Sequence, residues 1–290
     1  GTNAITGVGF QPDLVWGKSR SDTFDHFLLD AVRGTTKIIS RNNIVAESTQ
    51  TGSITAFDTD GFTLGSGNPY NKSSDNYASW NWKAGGGQGS SNTDGSINTT
   101  YTSVSTISGV SISKYTGTGS GATVGHGLGV TPKIVFYKKT SGSASWMVQS
   151  TLFPNRNQLV LNGTDALLNY SSNANIDNWS SSVFTVGTNG DMNASGGEYI
   201  AYCFAEKTGY SKFGSYTGNG SDTQFIYLGF KPAFFLWKST TQADHWGIID
   251  NKRDTFNDTY GHELQLRPSE SNGDLDGTGD RGIDFLSNGV

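Results

Sequence analysis

Short apolar runs separated by clusters of Gly, Ser, Asn, Thr and Pro set the pattern of this chain. Tyr199, Ala201 and Cys203 alternate with Ile200, Tyr202 and Phe204, the two-residue period of a buried strand. Only the stretch from Phe24 to Arg33 leaves a helical reading open. The pattern predicts an all-β protein of many short strands joined by tight turns.

The runs recur. Gly9-Phe10-Gln11-Pro12-Asp13-Leu14-Val15-Trp16 returns as Gly129-Val130-Thr131-Pro132-Lys133-Ile134-Val135-Phe136 and as Gly229-Phe230-Lys231-Pro232-Ala233-Phe234-Phe235-Leu236, with Lys18, Lys138 and Lys238 at one offset. Glycine permits the bend, proline fixes φ at the start of the strand, and the apolar residues that follow enter a core. A second strand recurs as His26-Phe27-Leu28-Leu29-Asp30, Trp146-Met147-Val148-Gln149-Ser150 and Trp246-Gly247-Ile248-Ile249-Asp250. A third unit, Ser113 to Gly119, matches Gly214 to Gly220. A closing unit reads as Ile54 to Phe57 with Gly61 to Gly65, then Ser182 to Gly187, then Ile283 to Leu286. Landmarks kept in one order predict three tandem related antiparallel β-sandwich (jelly-roll-like) repeats of roughly a hundred residues each.

The expected boundaries are residues 1–84 for repeat one, 85–109 for a flexible Gly/Ser linker, 110–207 for repeat two and 208–290 for repeat three. Repeat one lacks an opening strand and repeat three a closing one, so both edges are expected to be completed by a neighbouring subunit or by further chain.

Composition narrows the function. With 20 Lys+Arg against 25 Asp+Glu and a net charge of −5, the chain has no basic cluster to neutralise phosphates, which argues against nucleic acid. No apolar run has the length of a membrane span. Cys203, the one cysteine, excludes an internal disulfide and reads as a small buried hydrophobe.

The Gly9-to-Trp16 phrase, Trp80-Asn81-Trp82-Lys83-Ala84-Gly85-Gly86-Gly87, Thr123 to Gly129, Ile200 to Glu206 and Tyr210 to Gly220 together resemble a repeat module of structural, tail-fibre-type virion proteins of marine, cyanophage-like bacteriophages. The resemblance implies a virion-surface, extracellular location and partners among other virion subunits or copies of the same chain. It supplies no catalytic or binding residues.

Candidate chemistry is sparse. Asp274, Asp276 and Asp280 alternate around glycines, a spacing suited to calcium, although Phe285 stands where an EF-hand loop needs glutamate; the competing reading is a turn held by Asx hydrogen bonds. Asp58-Thr59-Asp60-Gly61 reads as a hairpin connection. His26, His126, His245 and His262 are scattered, and no serine lies in a nucleophile motif, so no enzyme is expected. Trp80, Trp82 and Trp146 occupy repeated strand positions and read as core, whereas Trp179 in a polar stretch, with Tyr170, is the candidate for stacking on a sugar. Asp30 with Arg33 and Asp250 with Arg253 read as structural ion pairs, replaced in the middle copy by Ser150 and Phe153. The expected function is a non-enzymatic fibre or adhesin that presents loops to host-surface glycans; the alternative is a spacer or capsid decoration module without a ligand.

Overall fold

The computed structural model describes residues 1–40, 42–221, 224–253, 264–276 and 282–290. Over these the chain is β throughout, apart from two short helices and one 3-10 turn. The first third forms β1 (Asn3–Thr6), β2 (Leu14–Ser19), β3 (Phe27–Asp30), β4 (Lys37–Ser40), β5 (Ser48–Thr49), β6 (Ile54–Asp58), β7 (Gly61–Leu64), helix α1 (Asn68–Asn71) and β8 (Tyr77–Trp82). The middle forms β9 (Tyr101–Ser105), β10 (Val110–Thr116), β11 (Ala122–Gly125), β12 (Ile134–Lys139), β13 (Met147–Ser150), β14 (Asn157–Val160), β15 (Leu168–Asn169), β16 (Val183–Val186), helix α2 (Gly190–Asn193) and β17 (Glu198–Phe204). The last part forms β18 (Phe234–Trp237), β19 (Gly247–Asp250), β20 (Leu264–Gln265) and β21 (Leu275–Asp276).

One hairpin is built three times in one register. Leu14 faces Asp30, Ile134 faces Ser150 and Phe234 faces Asp250. Before each first strand the turn glycine takes a left-handed φ, 83° at Gly9, 72° at Gly129 and 84° at Gly229, which a side chain would strain. At the far end Gly17 faces Phe27, Tyr137 faces Met147 and Trp237 faces Gly247. The two glycines leave room for the ring opposite, since a Cβ on either would strike it.

Around the first two hairpins the sheets run in the orders β5-β4-β3-β2-β8 and β15-β14-β13-β12-β17-β10-β9. The third hairpin, β18-β19, reaches β20 through a bridge between Ile248 and Leu266. Small sheets β1-β7-β6 and β11-β16 cover one face of the first two. Each hairpin is thereby apolar on both faces. Val15, Val135 and Phe235 point into three separate cores beneath the small sheets or their counterpart. Trp16, Phe136 and Leu236 point the other way, into a single core shared by all three hairpins.

Backbone bonds close this arrangement into a ring. Ahead of β5, Glu47 N–H donates to Thr140 O at 3.1 Å; ahead of β15, Leu167 N–H donates to Thr240 O at 2.9 Å; ahead of β21, Asp274 N–H donates to Arg20 O at 2.7 Å. The first unit thus holds the second, the second the third, and the third the first. The Trp146 indole donates to Ser40 O and that of Trp246 to Val160 O along the same path.

Buried charge sits at equivalent points of this ring. The Arg33 guanidinium donates to Asp30, to Glu47 and to Leu28 O; that of Arg253 donates to Asp250, to Asp274 and to Ile248 O. From neighbouring units, Tyr202 O–H donates to Asp30 at 2.6 Å and Trp80 Nε1–H to Asp250 at 3.1 Å. In the middle unit Ser150, Phe153 and Leu167 replace the three charges, and both apolar side chains pack on the shared core. A paired buried charge and a well-packed apolar set are close in stability, which is why the fold accepts either.

Two sequence expectations change here. Residues 85–109 are not a free linker: the buried Asp13 carboxylate accepts hydrogen bonds from Ala84, Gly86 and Gly87 N–H, and β9 pairs with β10. Successive N–H groups around one carboxylate form a nest, which the glycines permit. The third closing unit is also offset. Ile226 pairs with Val290 as Ile5 does with Phe62 and Val124 with Phe184, so Val290, rather than Phe285, stands at the Phe62 position.

Two outcomes follow for stability. Arg33→Ala strands the buried Asp30 without its counter-ion and should cost about 3–5 kcal/mol in chemical denaturation, whereas the triple change D30S/R33F/E47L, which installs the middle unit's set, should cost less than the single one. A triple variant weaker than Arg33→Ala would show that the charges are needed for folding. The buried ammonium groups of Lys18 and Lys138, each bonded to two carbonyls, have pKa values lowered to about 8 by desolvation. From about pH 8 to 10.5 the unfolded chain therefore binds more protons at these sites, and stability rises with pH. The buried Cys203 thiol, pushed well up by desolvation, opposes this with one group. Two lysines outweigh one thiol, so the melting temperature should climb between pH 8 and 9; a fall in that window would contradict the assignment.

Candidate functional site

Two grooves lie at matching places, each between the outer strands of a main sheet and a one-turn helix. In the first unit a groove of about 380 Å³ is lined by Phe24, Phe27, Ile38, Val45, Pro69 and Tyr70 among others. Its counterpart in the second unit, about 610 Å³, is lined by Gln158, Asn162, Asp165, Tyr170, Asn189 and Asp191 among others. Strand register ties them together, because Gln158 pairs with Leu168 as Ile38 pairs with Ser48. The first is the more apolar, although Asp25, His26, Ser40 and Asn43 also border it, and the second is the more polar.

Local sequence sets the walls of the second groove. Asn189 caps α2, its side-chain oxygen accepting from Asp191 N–H, and so presents Asp191 at the helix start. Burial raises the Asp191 carboxyl above the usual range, and the nearby Lys138 charge works against that rise. Gln158 is almost wholly buried on β14; its amide donates to Met147 Sδ at 3.7 Å, while its Oε1, closed to solvent, accepts no hydrogen bond among the described residues. Tyr170 lies on the same groove with 47% of its surface exposed. The groove therefore offers the Asp165 and Asp191 carboxylates as acceptors beside one accessible ring, over the buried Gln158 amide. Such a set suits a ligand that carries hydroxyl donors and an apolar face.

The remaining sequence candidates are placed as follows. Trp179 is 7% exposed and packs in the second unit's own core, where it does not line the groove with Tyr170. Its turn is closed by Ser180 N–H donating to Val183 O, as Leu286 N–H donates to Gly289 O, so Trp179 stands where Phe285 does, at an inward position. The sugar-stacking role expected for it is thus corrected to a core role. Asp274 spends its oxygens on Arg20 at 2.6 Å and Arg253 at 2.8 Å, so guanidinium groups neutralise the carboxylate proposed for calcium. Asp276 lies in β21, and Asp280 lies outside the described residues. Among the described residues no three His, Cys, Asp or Glu side chains gather at metal-binding distance.

The histidines serve structure at the places described. His26 accepts from the Trp16 indole at 3.0 Å, His126 accepts from Leu128 N–H, and His245 meets Glu270 at 2.8 Å; His262 lies outside the described residues. Burial lowers the His126 pKa and so keeps the ring neutral. Sequence reasoning missed Gln158, whose only signal was a polar residue at a strand position that is apolar in the first unit, and Asp165 and Asp191, which lie outside the strands and gave no signal.

The chain belongs to a family whose model, described as a domain of unknown function (DUF7483), matches residues 1–290. No curated protein and no solved structure matches it.

The core and groove assignments separate in one experiment. Trp179→Ala should lower stability by about 3–5 kcal/mol, the cost of emptying a core aromatic site, and Tyr170→Ala should stay within about 0.5 kcal/mol of the parent. Equal effects on denaturation midpoints would overturn the division.

Proposed function

We propose that this chain is a non-enzymatic structural protein of a virion-surface appendage, made of three copies of one two-sheet module, and that its second copy binds a host-surface glycan. The observation that carries the glycan reading is a groove that sets the Asp165 and Asp191 carboxylates beside the exposed Tyr170 ring, over a floor in which the Gln158 amide is buried. Sugar hydroxyls donate to the two carboxylates, and the carbon face of a pyranose stacks on a phenol ring. The appendage reading is supported by the resemblance of the repeated phrases to tail-fibre-type proteins and by a ring that holds its units in fixed order. Partners are other virion subunits. The first groove, which has Ile38 where the second has Gln158 and Pro69 beside Tyr70, favours a spacer role for that copy.

A glycan array, followed by titration of each hit, tests the reading. Tyr170→Ala should weaken binding by about tenfold, an interaction of about 1.4 kcal/mol, and Asp191→Asn, which removes an acceptor charge of the groove, should weaken it at least as much without lowering the thermal melt. Absence of any hit, or a hit indifferent to both changes, would leave the spacer as the function.

A further inference from the structure

The acidic groups of the second groove stand where the first groove has apolar ones. Because Gln158 pairs with Leu168 as Ile38 pairs with Ser48, Asp165 occupies the position of Val45. Asn193 donates to Gly187 O as Asn71 donates to Gly65 O, which sets Asp191 at the position of Pro69. Val45 and Pro69 both line the first groove. An apolar pair at these positions therefore folds, and neither carboxylate is needed to hold the module together.

Both charges are also left without a counter-ion. In the first groove the Asp25 carboxylate is occupied, accepting from Ser40, Asn42 and Asn43. Asp165 is exposed and makes no hydrogen bond or ion pair among the described residues. Asp191, half-buried, accepts from Ser145 N–H and has no ion-pair partner among them. No Lys, Arg or His stands among the described residues that line the groove. The cations whose charge reaches the two carboxylates lie off its walls and are engaged elsewhere or too far to pair. Lys138 is buried on Ile44 O and Ala144 O, Lys238 donates to Ser239 O and Gln242 O, and Lys139 makes no ion pair with Asp191.

We propose that the groove selects a sugar residue with a free, cationic amino group, that is, a non-acetylated amino sugar, and rejects residues that carry a carboxylate or phosphate. The inference rests on the glycan reading of this groove and names the class of sugar. An ammonium group donates charge-assisted hydrogen bonds to a carboxylate, which are stronger than those of a hydroxyl. It also supplies the counter-ion that a half-buried Asp191 lacks. A pyranose stacked by its carbon face on Tyr170 carries an equatorial amino group at its edge, where a carboxylate beside the ring can meet it. An acidic sugar would instead bring like charges together, which is costly where water is excluded.

Tetrasaccharides that share one backbone and differ only at C2 separate the outcomes: chitosan tetraose has an amino group there, chitotetraose an acetamide and cellotetraose a hydroxyl. Each is titrated into the 290-residue chain at about pH 6, where the amine is protonated and carboxyls are ionised. Chitosan tetraose should bind about tenfold more tightly than the neutral pair. That preference should disappear in Asp165→Asn with Asp191→Asn and shrink as salt is raised. Tyr170→Ala should weaken all the oligomers alike and leave the preference intact. Asp284→Asn, which removes an exposed charge of the third unit, should change nothing. Equal binding of the oligomers, each weakened by Tyr170→Ala, would overturn the amino-sugar assignment and keep the glycan reading, as would array hits confined to neutral or acidic glycans. Absence of binding by every oligomer and every array glycan would overturn both. A preference reduced as much by Asp284→Asn as by the groove changes would reflect only the net charge of −5 and would also overturn the proposal.

Discussion

Everything in this protein rests on strands that bury both faces. Trp16, Phe136 and Leu236 meet in one core, while Val15, Val135 and Phe235, one residue away on each strand, face three others. A strand exposed on one side reads as alternating apolar and polar residues; these read as unbroken apolar runs because no side faces water. The shared core makes the units interdependent. Moving any hairpin away would expose Leu28, Val148 or Ile248 to solvent, so the ring, rather than a single unit, is the cooperative element.

Polar groups are placed by that constraint. Asp30 and Asp250 stand at strand ends bordering the shared core, and each accepts from its own arginine and from an aromatic donor of a neighbouring unit. An unpaired carboxylate there would cost several kcal/mol, so all the partners must arrive together. The middle unit avoids the problem with Ser150, Phe153 and Leu167, and keeps the same backbone bonds to its neighbours. The backbone ring and the apolar core hold the arrangement; the charges are one of two ways to fill the space between them.

What the sequence made legible was what local backbone chemistry dictates. The Gly-x-x-Pro turn and the apolar run behind it announce a hairpin wherever they occur, since φ of glycine and proline does not depend on distant residues. The Asp-Arg spacing likewise revealed both ion pairs. Ring closure was not legible, because the bonds common to Glu47, Leu167 and Asp274 are made by their N–H groups, and any residue except proline has one. Trp179 misled through its polar neighbours, which hid an inward position that Phe285 also occupies. The glycines of 85–87 looked like slack, yet their freedom is what lets successive N–H groups converge on Asp13. The groove was hidden for a related reason: Gln158 matters because of where β14 places it, and by composition it is one polar residue among many.

The same comparison explains why one groove and not the other reads as a site. Both have the same walls, so the scaffold alone does not require a polar floor, and Ile38 shows that an apolar one folds. Gln158 leaves a buried oxygen without a donor, an arrangement that costs about 1–3 kcal/mol, and Asp191 is a half-buried carboxyl that desolvation disfavours when charged. Neither group is placed to strengthen the ring, since the closing bonds of the second unit are made by Leu167 and Trp146. A scaffold tied together elsewhere can carry such groups without losing its fold. A bound hydroxyl donor would hydrogen-bond the Asp191 carboxylate that burial disfavours, so the deficit in the empty groove becomes part of the affinity of the filled one.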